Sequence, residues 1–591
     1  MPAARQLVRP MRRVNERQVS PEVVQHTGDN ALLAKAVSFR RNTYRKVPVI
    51  ALATLVAAVK PALQLMAGAI QSGDNDSFTK ALQCFCIIPQ FALTRDSEKI
   101  LPAGQFRKKL LSFLEGNWTQ PRQPEAESKS EGKDESGLTE QQRKGLKRAR
   151  RLAQEGFLGK ASDTLQTAAS PLRGSLPPTA EVIAQLQAMH PPEGQPVPDI
   201  PHGTITGLPI THATMRRAGK KIANGAAPDI FGWTGELIWS IMQDDQCFEL
   251  FSKIVGHIRD GQARGEARDW LLSSWLIALD KGNDKVRPIA GTSILFKLAA
   301  SYLMEENRAE AQALFGDRYP TWSLHTRRCP LSAARLTQLM LEADPKHIVL
   351  KTDFRNAFNN IPRHLVLQQL FQHPTLSKFF HMIHWTYSAP SFQFLRGSNG
   401  VAAVVKSCQG VRQGCVFGSL GFAIATLGMF TALRKEHPNI LVVAILDDLC
   451  LSGEVPAVIS AFDQLHQLAE GHNIPIQNEK CELLPPVKKN DSLAQLAQDR
   501  RLKIAKDSLP LLGTVVGRDS AAKRQWVRRS LESWQTPLQL LQHLPSQLAL
   551  LVARTIGTSK ANHIARALPP SVTLGPSNSM IGQCNAASNN A

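Results

Sequence analysis

The chain has 591 residues, 43% hydrophobic and 20% charged, a balance that excludes a disordered or fibrous polymer and leaves room for about two to four domains. Seventy Lys and Arg stand against 49 Asp and Glu; the resulting charge of +21 favours a polyanionic partner, nucleic acid or an acidic membrane surface. Nine scattered cysteines form neither a disulfide framework nor a ligand-spaced zinc pattern, which suits a reducing compartment.

Residues 1–117 read as a helical, basic N-terminal region, and Met1-Pro-Ala-Ala-Arg-Gln has no signal-peptide pattern. Val47–Ile70 is the one long apolar run. Lys60-Pro61 interrupts it, so the pattern predicts a pair of helices buried in a core rather than a membrane span. Residues 118–150 are rich in Pro, Ser, Glu and Lys with few large apolar side chains and predict a flexible charged linker. It ends in RKGLKRARR (143–151), a nuclear-import or nucleic-acid patch or a solvated helix face. Regular patterning begins near Thr179. LQAMHPPEG (186–194) leads to ANGAAPDIFGWTGELIW (223–239), a Gly/Pro-rich turn followed by an amphipathic helix.

Three later segments carry chemistry. HIVLKTDFRNAFNNI (347–361) opens as a strand ending in Asp353. SCQGVRQGCVFGSLGFAIATLGMFTALRKEHP (407–438) reads as a Gly-rich loop feeding a helix, with Leu420, Ile424, Leu427, Phe430 and Leu433 at helical spacing. AILDDLC (444–450) sets Asp447 and Asp448 side by side within an apolar, β-forming run. A polar hairpin turn accounts for that pair taken alone. Two aspartate-bearing strands with a Gly-rich loop between them also suit phosphoryl transfer, in which paired divalent ions clamp a triphosphate and offset the repulsion between the carboxylates. The last stretch, 574–591, is polar and reads as a disordered tail.

In block order the region from about Leu186 to Pro570 resembles the reverse transcriptase domain of non-LTR retrotransposons. LDKGNDKVRPIAGTSILFKLAA (279–300) resembles the fingers block. That resemblance implies that Arg287 binds the triphosphate, with Lys281 and Lys285 as weaker candidates. TDFRNAFNNI resembles the first metal-binding block: Asp353 is implied as a ligand together with the adjoining Phe354, and Phe358 as the aromatic that excludes a 2′-hydroxyl. QGVRQG (409–414) resembles the block contacting template and nucleotide, with Gln409-Gly410 at its core. AILDDL resembles the hairpin carrying the remaining catalytic carboxylates, Asp447 and Asp448. NIPIQNEKCELL (473–484) supplies Lys480, which the resemblance implies neutralises the triphosphate or protonates pyrophosphate. LPLLGTVVG (509–517) is similar to the primer grip, and 543–570 to a thumb. Ile445 stands where this family usually has Tyr or Phe.

The fold so implied is α+β, a right-hand polymerase with fingers, thumb and an antiparallel palm sheet, plus the helical N-terminal region. Fingers and palm are expected over 179–517 and thumb-like helices over 518–573. The implied activity is RNA-directed DNA polymerisation with two Mg²⁺ ions, Mn²⁺ substituting, acting in the nucleus on an RNA template, a DNA primer or target and deoxynucleoside triphosphates. No zinc repeat or carboxylate-rich nuclease block follows the thumb, so target nicking is expected from a separate endonuclease or a missing segment. Two rival readings share these residues: an RNA-directed RNA polymerase, which Phe358 opposes, and a catalytically decayed RNA-binding remnant of a retroelement.

Overall fold

The computed structural model describes residues 11–14, 17, 19–27, 30–38, 43–94, 102–116, 137–170, 174–282, 285–315, 329–398, 400–488 and 491–574. The expected tail from 575 onward and the linker residues 118–136 lie outside this set. Two compact units emerge. The first comprises Met1–Lys133, Ser175–Ala311 and Leu367–Gly418; the second comprises Asp134–Gly174, Gln312–Val366 and Ser419–Ala591.

In chain order the strands are β1 (Ser274–Gly282), β2 (Lys285–Thr292), β3 (His347–Thr352), β4 (Ser391–Gly397), β5 (Gly400–Ser407) and β6 (Leu441–Ile445). They continue with β7 (Asp448–Glu454), β8 (Glu482–Leu484), β9 (Lys503–Ile504), β10 (Ser508–Leu511) and β11 (Thr514–Gly517).

The first unit holds a four-stranded sheet, ordered β2-β1-β4-β5. Alternation decides which side is buried: Val286, Leu276, Ala278, Leu395 and Val405 share one face and pack on Val182 and Leu186 of the Ala180–Ala188 helix. Lys285 and Arg287 project exposed from the other face.

Around this sheet lie helices, of which Val49–Ser72 is the longest. It corrects the expectation of a helical pair, because it runs unbroken through Pro61. Pro61 removes one backbone donor, and packing against the Asn75–Ala92 helix carries the chain through. The turn between the two is set by Gly73, at φ +72°, and by Asp74, whose side chain caps the backbone N–H groups of Asp76 and Ser77. By length and composition Val49–Ser72 could cross a membrane, and 50% of its apolar window is buried inside the unit.

Two buried polar groups mark this unit. Asp229, 4% exposed, accepts backbone N–H bonds from Phe231 (3.0 Å), Gly232 (3.0 Å), Trp233 (2.9 Å) and Ile294 (2.9 Å). His257 lies 4.7 Å from the Phe78 ring, and its buried Nε2 has no hydrogen-bond partner. Burial holds the His257 imidazole down at about 4 against the opposing pull of Asp260. The unfolded chain therefore binds this proton more tightly. The stability His257 contributes is complete above about pH 6.5 and drains as pH falls toward 4, by on the order of 2 kcal/mol. Urea unfolding followed across this range should show a fall that a His257→Phe chain lacks.

The second unit is built on a five-stranded sheet, β6-β7-β3-β8-β9. Its inner strands are short apolar runs, and Val349, Val443, Ile445, Cys450 and Leu484 line one face against Ala333, Ala334 and Leu341 of the Cys329–Ala343 helix and against Leu509, Leu511 and Val516 of the β10–β11 hairpin. That hairpin turns at Leu512-Gly513, both at positive φ (51° and 78°).

The linker expectation reaches too far. Its last part, 140–150, belongs to the Glu140–Gln154 helix, whose N-terminus is closed by a capping box between Thr139 and Gln142. Leu146, Ala149 and Leu152 join Leu165 of the Leu158–Ala169 helix. Together they pack into a core with Val527, Leu531, Leu541, Val552 and Ile564 from the C-terminal helices. The high density of Lys and Arg concealed this apolar stripe, which recurs every three residues.

Candidate active site

The two aspartate-bearing segments meet in one sheet. β3 runs antiparallel to β7 with Thr352 opposite Leu449, so the next position places Asp353 opposite Asp448 on the same face. β6 pairs with β7 through Ile445–Asp448, leaving Leu446-Asp447 as a two-residue turn with Leu446 at φ +57°. The turn reading and the site reading of AILDDLC therefore describe one object: a tight hairpin whose tip holds up two exposed carboxylates. Ile445, 6% exposed, anchors it from below within the apolar cluster.

The expected convergence of three acidic side chains is not met as a ready-made cluster. Among the described residues no three His, Cys, Asp or Glu side chains are grouped to hold a metal ion. Like charges repel, and Asp353 instead takes Lys480 as counter-ion, Nζ to Oδ2 3.2 Å, with both side chains about a third or more exposed. That placement is built by the backbone: Gln477 N–H donates to the Asp353 carbonyl (2.7 Å) and Arg355 N–H to the Pro475 carbonyl (2.8 Å). These bonds flank the bridged pair Phe354–Ile476. In such a pair the bridged residue's own carbonyl points away from its bridge partner. Asp353, Asp447 and Asp448 carry hard oxygen donors, the donor type that suits Mg²⁺ or Mn²⁺.

Sulfur takes no part. Burial pushes the Cys450 thiol up to about 12, with Lys351 opposing and Asp448 adding to the rise. Burial likewise pushes Cys481 up to about 11. Both remain neutral thiols at pH 7, so among the described residues the anionic donors at this edge are oxygens.

After Asp353 the chain turns at Asn356 (φ +49°) into the short Ala357–Asn360 helix. This presents Phe358 on the same unit, stacked on buried Phe422 at 4.9 Å and 14°. The stack fixes the ring plane, as a side chain that gates a sugar requires.

The remaining expected residues belong to the first unit. Lys285 and Arg287 lie two apart on β2, both exposed, and Lys281 is exposed at the end of β1. The Gly-rich loop docks onto that strand: Ala290 N–H donates to the Gln413 carbonyl (2.7 Å), and Gly414, at φ +95°, lies so close that a Cβ would meet the Ala290 carbonyl at 2.6 Å. Gly410 is buried in a turn at φ +70°, and the Gln409 amide fills the space a side chain on Gly194 would need. The pair beside the Arg287 strand is therefore Gln413-Gly414, the second Gln-Gly of the loop, and Gln409-Gly410 supports it against LQAMHPPEG. The repeat of Gln-Gly was the signal; only the contact with Ala290 ranks the two. Arg412 between them is 2% exposed, donates to the Leu272 carbonyl (2.7 Å) and serves as loop anchor.

Residues 279–515 match the family described as reverse transcriptase (RNA-dependent DNA polymerase), a span that holds every candidate residue above. Over 233 residues the chain is 25% identical to the Retrotransposable element SLACS 132 kDa protein of Trypanosoma brucei gambiense, covering 39% of this chain. The match spans about a fifth of that relative's length, 19%. Among solved structures, telomerase from Candida albicans in complex with a telomeric RNA fragment is 13% identical, covering 56% of this chain and 62% of that one, at a TM-score of 0.32. Apo telomerase from Candida tropicalis is 12% identical over 55% and 64%, at 0.33.

Proposed function

We propose that this chain is the RNA-directed DNA polymerase of a non-LTR retrotransposon, adding deoxynucleoside triphosphates to a primer 3′ end on an RNA template. The five-stranded sheet serves as palm, the β2-β1-β4-β5 sheet and its helices as fingers, and the helices beyond residue 518 as thumb. One observation carries the reading: within the family-matched span, strand register sets Asp353 beside Asp448 at an exposed edge.

Asp353, Asp447, Asp448 and the Phe354 carbonyl would hold two divalent ions, Mg²⁺ or Mn²⁺. When bound, these polarise the α-phosphate and stabilise charge on the entering and leaving oxygens. Lys480, released from Asp353, is placed to neutralise or protonate the departing pyrophosphate. Arg287, with Lys281 and Lys285, holds the triphosphate tail, and the Gln413-Gly414 backbone lets template and nucleotide approach closely. The nucleus as the place of action and a separate endonuclease as partner belong to the same proposal.

Extension of oligo(dT) on poly(A) with Mg²⁺ or Mn²⁺ tests it. No incorporation with either ion, from folded protein that binds the hybrid, would leave the decayed remnant as the better account. The Phe358 stack separates DNA from RNA synthesis: Phe358→Val opens space at the sugar, and ribonucleotide use relative to deoxyribonucleotide should rise by about 10–100-fold. An unchanged ratio removes the gate role.

A further inference from the structure

A row of buried polar side chains crosses the four-stranded sheet of the first unit and belongs neither to its apolar cluster nor to the candidate active site. Strand register sets Ser274 of β1 between Thr292 of β2 and Gln393 of β4. Alternation turns all three to the face that carries Leu276 and Leu395. None is more than 1% exposed. Ser274 Oγ, Thr292 Oγ1 and Gln393 Nε2 are each buried without a hydrogen-bond partner.

Arg412 of the Gly-rich loop completes the set. Its Nη1 donates to the Leu272 carbonyl (2.7 Å) and to Ser391 Oγ (3.3 Å), on the residues two before Ser274 and Gln393. The guanidinium therefore lies across the neighbouring cross-strand position, and its buried Nε and Nη2 have no partner. Both acceptors it does have are neutral oxygens. Burial lowers the nearby Arg268 guanidinium to about 10, with Asp269 opposing and Arg412 adding to the fall. Asp269 is engaged by Arg268 at 3.8 Å and by the Asn30 amide at 2.7 Å. A buried donor without an acceptor is costly, and a charged one more so. Adjacent strands stand about 4.8 Å apart, so donors that do not bond one another are near enough to share one small acceptor between them.

We propose that Arg412, Ser274, Thr292 and Gln393 bind one chloride ion, which ties the Gly-rich loop to β1, β2 and β4. The donor set decides the sign: guanidinium and amide N–H groups only donate, and both hydroxyls are able to. Enclosure decides the size. Each of these atoms is shut off from solvent, which suits an ion of about a water's bulk and excludes a nucleotide phosphate with its several oxygens. Charge decides between ion and water: a water answers the hydrogen bonds and leaves the guanidinium uncompensated, and an anion answers both. This site goes beyond the polymerase reading and stands without it.

The test uses the full chain, melted in potassium chloride and in potassium gluconate of equal ionic strength. The wild-type Tm should be higher in chloride and rise with it to a plateau. Arg412→Met should melt at one temperature in both salts. Thr292→Val keeps the shape of the side chain and removes one donor. It should need about tenfold more chloride for half the effect, and in gluconate it should be at least as stable as wild type. Bulk salt effects are common to the three chains and cancel in the comparison. Crystals soaked in bromide should show an anomalous peak in contact with Arg412 and Gln393. A peak at the surface alone means an adventitious ion only and overturns the proposal, as does a wild-type Tm indifferent to chloride. If Arg412→Met does not fold, the wild-type and Thr292→Val titrations decide. Primer extension enters none of these outcomes, so this site and the polymerase reading fall separately.

Discussion

Primer extension by Asp353→Ala and by Asp448→Asn is expected to drop by about 10³-fold or more, with binding of the template–primer hybrid intact. The two carboxylates come from strands distant in the chain and are set opposite each other by the β3–β7 register. Neither is needed to hold that register, because Val349, Val443, Ile445 and Cys450 bury the sheet face beneath them. Catalysis and stability should therefore move separately. Asp447→Asn and Asp448→Asn remove repulsion between adjacent exposed charges at a hairpin tip, so in buffer with chelator both should melt at or slightly above the wild-type temperature. Asp353→Ala loses the Lys480 ion pair, a partly exposed contact of small value. Should either substitution at 353 or 448 leave extension at the wild-type rate, these residues are not the metal-binding pair; should they unfold the protein, their role is structural.

The sequence disclosed the second unit better than the first, for a physical reason. β3, β6 and β7 are short runs buried through their own side chains, so an aspartate at each end stands out against apolar, β-branched neighbours. The Lys480 block was legible as a segment, but its hydrogen bonds to Asp353 and Arg355 arise from a bridge across more than a hundred residues. The segment at 140–169 was hidden by distance of another kind: its apolar stripe is completed by helices nearly four hundred positions later. Read locally, that stripe is too thin to outweigh six cations. Pro61 misled in the opposite sense, since a helix interrupted in isolation is carried through by packing. Gln409 and Gln413 show the limit within one loop: both sit in Gln-Gly pairs, and only contacts made elsewhere, with Gly194 and Ala290, tell them apart.

Asp229→Ala should cost about 3–5 kcal/mol in denaturant unfolding, the largest stability loss expected from one side chain here. The Ile294–Glu306 helix receives no side-chain bond from its own N-cap, Ser293; the Asp229 carboxylate supplies it from the 229–233 turn. The same carboxylate gathers three N–H groups of that turn, whose Trp233 stacks on Phe85 at 4.7 Å and donates to its carbonyl. Without it, backbone donors are stranded in the interior, and the nearby half-buried Lys297 loses the negative charge that offsets its desolvation. Burial lifts Asp229 to about 6, against the pull of the Ile294, Phe231 and Trp233 N–H groups and Lys297. An acid raised in the folded state favours folding most below its unfolded value near 4 and loses that contribution as pH rises through 6, so the deficit of the alanine chain should be larger at pH 5 than at pH 7. Trp fluorescence in urea at both pH values checks the order, and the reverse order would mean that the N–H donors outweigh burial. The consequence for function follows from connectivity. β2, with Arg287, ends at Thr292 and the helix begins at Ile294, so Asp229 pins the corner that fixes the direction of the strand. In protein that remains folded, loosening this corner should raise the apparent KM for deoxynucleotide more than it lowers kcat. A kcat loss with KM unchanged would show that the corner only holds the fold.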